Sequence, residues 1–134
     1  MKTVYDLMLA VARHLTGKEV RVRVTKPEDS DGLCWTDEER GLTIDISPYL
    51  SDETLAYVFI HEMAHAKLHN FRPVAEAVMR ATQESEEEDS YIRREVEADS
   101  QALAWLRYAG KYRNKSLDYF EGMLWALLRY QEEA

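Results

Sequence analysis

The chain has 134 residues, 46% of them apolar, enough for one domain with a real core. Its net charge of −8 argues against direct nucleic-acid binding, which needs a basic face, and equally against an anionic membrane surface. A single cysteine, Cys34, leaves no intramolecular disulfide, no signal-type apolar region follows Met1, and no stretch approaches the roughly 18 apolar residues of a membrane span. The expectation is a single cytoplasmic domain over residues 1–134.

Val4, Leu7, Met8, Val11 and Leu15 recur at helical spacing, with Thr3 suited to cap the start and Gly17 the end. Val20, Val22 and Val24 alternate with polar residues, as in a half-buried strand. Leu33-Cys34-Trp35 reads as a second strand, Thr36 to Gly41 as a hairpin loop, and Leu42, Ile44 and Ile46 as a third strand stopped at Pro48.

Ser51 opens a helix from about Asp52 to Asn70. Leu55, Val58, Phe59, Ile60, Met63 and Leu68 cover almost all its directions, so this helix is expected at the centre of the fold. Residues 73–83 suggest a short helix, and Glu84 to Asp89 an acidic run that reads as a solvated loop or a frayed helix start, with a docking patch as the sharper alternative. A helix follows from about Tyr91 to Tyr108, ended by Gly110. The last runs from about Ser116 to Gln131.

His61 and His65 stand four apart on the central helix, so their side chains can share one ion. Glu62 lies about 100° round the helix, where a base can take a proton from water on that ion. His61-Glu62-Met63-Ala64-His65 is thus the HExxH pattern of zinc peptidases. His69 continues the series, but two turns place it about 12 Å from His61 on a straight helix. The third ligand is expected in Arg94-Glu95-Val96-Glu97-Ala98-Asp99. Glu95 and Asp99 share a stripe with Ala102 and Leu106, whereas Glu97 points about 200° away, beside Arg93 and Gln101. Glu95 is therefore the expected ligand, with Asp99 set to fix the tautomer of a ligand histidine. Tyr91, one turn before Glu95, is the candidate oxyanion donor, its bland reading being a packed aromatic. His14, Arg93, Tyr108 and Tyr112 stay open for that role. Cys34 reads as a small buried thiol, and Trp35, Trp105 and Trp125 as core or interface aromatics.

HExxH followed by a helical ExxxD resembles the gluzincins. His61 to His69 with Glu95 to Asp99 is similar to the ImmA/IrrE family, whose motifs are of the HExxHxxLH and ExEA[DN]xFA types. The likeness covers about Asp52 to Leu106, and Gln101 departs from it where the family commonly has Phe. It implies an α+β zincin-like domain: an N-terminal helix, a small three-stranded, mostly antiparallel sheet, a central HExxH helix and C-terminal helices. It also implies Zn2+ as cofactor, an origin in bacteria or their mobile elements, and a protein substrate such as a separate helix-turn-helix repressor. Zincins present an edge strand to extended substrates, and Leu42 to Ser47 is the expected edge. A non-catalytic, zinc-stabilised module that docks a regulatory partner stays open beside the peptidase.

Overall fold

The computed structural model describes residues 3–25, 31–37, 41–68 and 84–131, with the backbone alone at 36–37 and 84–91. Helix α1, Val4–Thr16, starts where expected because Thr3 and Asp6 cap each other reciprocally. It ends at Gly17, whose φ of 69° is the left-handed cap that glycine adopts without strain. Leu7, Met8, Val11, Ala12 and Leu15 are its buried face.

Three strands follow: β1, Arg21–Val24; β2, Gly32–Asp37; and β3, Gly41–Ile46. Their order is β1-β3-β2, with β1 parallel and β2 antiparallel to β3. The sheet is therefore a small mixed one. The expectation that β3 forms the edge is wrong, because β3 is paired on both sides. Its alternation of Ile44 and Ile46 with Thr43 and Asp45 reports which face each residue takes, but says nothing about lateral neighbours. Among the described residues the edges are β1 and β2. At β1, the Tyr5 hydroxyl donates to the Val22 carbonyl at 3.0 Å.

One sheet face carries Val22, Cys34, Ile44 and Ile46, all buried in the core. The other carries a polar cluster. There the buried Asp45 accepts from Arg23 at 2.7 and 3.1 Å and from Trp35 Nε1 at 2.8 Å.

Helix α2, Asp52–Leu68, opens as expected at Ser51, whose hydroxyl accepts from the Thr54 amide at 3.3 Å. It packs against α1, β2 and β3 and against both helices that follow, so Ala56, Phe59, Ile60, Met63, Ala64 and Ala66 are all buried. At its far end the Lys18 ammonium donates to the Ala66 carbonyl at 2.7 Å and the Lys67 carbonyl at 3.4 Å, neutralising the negative helix terminus. His69 and the expected helix at 73–83 lie outside the described residues.

Helix α3, Glu84–Tyr112, is longer than expected at both ends. The acidic run forms its first turns, since glutamate is a good helix former and negative charge is favoured at a helix N-terminus. Gly110 does not end it: the helix runs on to Tyr112, carried past the glycine by the burial of Ala109. The buried stripe is Ala98, Ala102, Trp105 and Ala109, and its three alanines let α3 approach α2 closely.

Helix α4, Tyr119–Leu127, begins three residues later than expected. Residues 114–117 turn instead, the Ser116 amide bonding to the Asn114 side chain and the Leu117 amide to its carbonyl. Asp118 makes no side-chain cap; Asp52 of α2 accepts from the Phe120 amide at 2.8 Å in its place. Phe120 then meets Phe59 edge-on at 5.9 Å, closing the core.

Candidate metal centre

Packing of α3 on α2 brings the carboxylate of Glu95 to the two histidines. His65 Nε2 lies 3.0 Å from Glu95 Oε1, and His61 Nε2 lies 3.3 Å from Glu95 Oε2. The two imidazole Nε2 atoms are 3.2 Å apart. Glu97, two residues along, is exposed.

Three donors this close match a cation's first shell. Ligands held tetrahedrally at about 2.0–2.2 Å stand roughly 3.3–3.6 Å from one another. The observed spacings of 3.0, 3.2 and 3.3 Å fall within a few tenths of that. Two imidazoles and one carboxylate suit zinc. Among the described residues, His61, His65 and Glu95 are the group of metal-ligating side chains whose donor atoms converge, all within 4.8 Å.

The surroundings of the cluster are unequal. His65 is buried, and His61 and Glu95 are partly open to solvent. Asp99 Oδ1 stands 3.1 Å from His61 Nδ1, yet off the line of an N–H bond, so the buried Nδ1 has no hydrogen-bond partner. The Asp99 side chain is 59% exposed, so the stripe that begins at Glu95 runs along the margin of the helix contact rather than through its middle. Gln101, expected on the surface beside Glu97, instead reaches Lys67 at 3.4 Å. Tyr91 has its backbone in α3, four residues before Glu95; its side chain lies outside the described residues.

Glu62 is buried, pointing from α2 toward β2. Burial, reinforced by the negative charge of Glu95, pushes its pKa up from 4.5 to about 7, and a hydrogen bond from the Cys34 amide partly offsets the rise.

No curated protein and no solved structure matches the chain. The sequence matches the Peptidase U49 family over residues 8–132, from within α1 to beyond α4. The chain belongs to this family. As a U49 peptidase it carries a protease fold unit of α+β class, and no helix among its described residues is long and apolar enough to cross a membrane.

Sequence reasoning missed how this peptidase holds Glu62. Gly32 opens β2 directly beneath α2, where a Cβ would stand 2.4 Å from Val58 Cγ1 and 3.2 Å from Glu62 Cγ. Only glycine lets strand and helix approach so closely. Two residues on, the Cys34 amide bonds to Glu62. The glycine was visible in the sequence, but its partner across the fold was not. Also missed was Tyr57, whose ring stacks on His61 with centroids 6.1 Å apart. Its spacing of four residues from His61 was the available signal. The Cys34 thiol is buried as expected, and burial together with the Glu62 charge pushes its pKa far up, so it is an inert thiol.

Proposed function

We propose that this U49 peptidase is a zinc-dependent endopeptidase in which His61, His65 and Glu95 hold the metal and Glu62 is the general base. The observation that carries the reading is the convergence of the three ligand atoms within 4.8 Å, with the buried Glu62 next to His61 in sequence. Zinc bound there supplies a Lewis acid and lowers the pKa of the attacking water.

The rest falls to the protein's own groups. The Glu62 carboxylate would take the proton from the attacking water and pass it to the leaving amine. The Cys34 amide fixes the carboxylate's orientation. Asp99, after a rotation of its exposed side chain, accepts from His61 Nδ1 and sets the tautomer that leaves Nε2 to the metal. Tyr91 is our candidate for stabilising the oxyanion. Of the two edges, β2 is the one beside Glu62, which holds its Cys34 amide, and it is our candidate for pairing with an extended substrate; on β1, Tyr5 occupies the Val22 carbonyl. This corrects the edge expected from the sequence.

On the motif likeness we read the chain as akin to the ImmA/IrrE peptidases, with a separate helix-turn-helix repressor as substrate and the cytoplasm as its compartment. The presence of a carboxylate at Glu62, buried and adjacent to His61, favours catalysis over a zinc-stabilised docking module, because a purely structural site has no use for a base there. Glu62→Gln tests the choice. Co-expressed with a candidate repressor, it abolishes cleavage and retains zinc; unchanged function in this variant would establish the docking module instead.

A further inference from the structure

Exposed apolar side chains scattered singly over a surface need no explanation. Three of them in this chain flank one cluster. Tyr57, 50% exposed, lies one turn before His61 on α2 and stacks on its ring with the planes 19° apart. From α3, Ile92 and Val96 stand three residues before and one after Glu95, 55% and 58% exposed. Their neighbours Arg93, Arg94, Glu97 and Ser100 are exposed and polar. Tyr57 contributes to neither the core nor any hydrogen bond among the described residues that would account for its place.

What passes over these residues is set by the cluster they surround. A peptide whose carbonyl is brought to His61, His65 and Glu95 must carry its flanking side chains within one helical turn of each ligand. Exposed apolar groups within that reach gain by taking apolar surface out of water against an apolar substrate side chain.

We propose that Tyr57, Ile92 and Val96 form the apolar rim of the substrate cleft and select a bulky apolar side chain flanking the scissile bond. The proposal rests on the reading of the cluster as a zinc site.

The test uses the zinc-loaded full chain and three hydroxamates, which share a metal-chelating head. Acetohydroxamate adds only a methyl group, isocaprohydroxamate a branched apolar tail, and γ-aminobutyrohydroxamate a cationic one. Calorimetry is expected to show isocaprohydroxamate binding about tenfold or more tightly than acetohydroxamate. The ratio of the two affinities within each variant is the readout. It falls to below about threefold in Tyr57→Ala and in Ile92→Ser combined with Val96→Ser, and Tyr57→Phe keeps it. Equal affinities in the wild type, tighter binding of the cationic probe, or a ratio unmoved in both variants would overturn the rim. A Tyr57→Phe ratio as low as that of Tyr57→Ala would assign the effect to the hydroxyl and likewise overturn it. Failure of the chain to take up zinc in the loading step, read by metal analysis before any probe is added, would instead refute the metal site on which the proposal stands.

Discussion

The backbone amide of Cys34, on strand β2, donates a hydrogen bond to the carboxylate of Glu62, on helix α2. The bond requires strand and helix to run closer than a side chain at residue 32 would allow. A Cβ there would meet Val58 Cγ1 at 2.4 Å. Gly32→Ala is therefore expected to lower stability by about 1–3 kcal/mol, the usual cost of overpacking, and to cut peptidase activity by displacing Glu62. Chemical denaturation and zinc content of the same preparation check it: stability falls and zinc is retained.

Gly110 gives the opposite expectation. It sits within α3, exposed, with nothing near the place a Cβ would take. Gly110→Ala should stabilise the protein by about 0.5–1 kcal/mol, seen as a raised denaturation midpoint, because glycine costs that much in a helix interior.

Glu62 also sets a pH dependence. Its pKa in the folded chain, about 7, lies above the ordinary 4.5, so the folded state holds this proton more tightly than the unfolded state. The contribution to stability is present in full below pH 4.5 and is lost as the pH rises to about 7. For the metal-free protein the loss is of the order of 3 kcal/mol. Denaturation of metal-free wild type and Glu62→Gln at pH 4.5 and pH 7.5 measures it. The difference between the two proteins should change by that order across the interval, wild type losing the more.

Asp45 anchors the outer face of the sheet by accepting from both Arg23 and Trp35. Asp45→Ala removes the carboxylate to which the Arg23 guanidinium and the Trp35 indole N–H donate. Arg23 is 39% exposed, so water recovers part of the loss, and an overall destabilisation of about 2 kcal/mol is expected by urea denaturation. Activity per folded molecule should be unchanged, since this face lies opposite α2.

Local chemistry was legible in the sequence wherever one segment decided the outcome. Thr3 and Gly17 bracket α1 as capping rules require, and the all-round apolar pattern of α2 marks it as central. Helical phase alone separated Glu95 from Glu97, and the structure brings Glu95 rather than Glu97 to His61 and His65. What failed depended on partners distant in sequence. Alternation in β3 could not disclose that β1 would pair with its free side. Gln101 looked like surface until Lys67 met it across the helix contact. The start of α4 depends on Asp52, 68 residues away. Of the two bland readings of the acidic run, a loop or a helix start, the structure takes the helix start.

The most direct test of the account is the zinc content of purified wild type, Glu95→Ala and Glu97→Ala after dialysis against trace zinc. The convergence of His61, His65 and Glu95 predicts about one zinc per chain in wild type and Glu97→Ala, and its loss in Glu95→Ala. Wild type that binds no zinc on titration, or zinc retained by Glu95→Ala and lost by Glu97→Ala, would contradict the site.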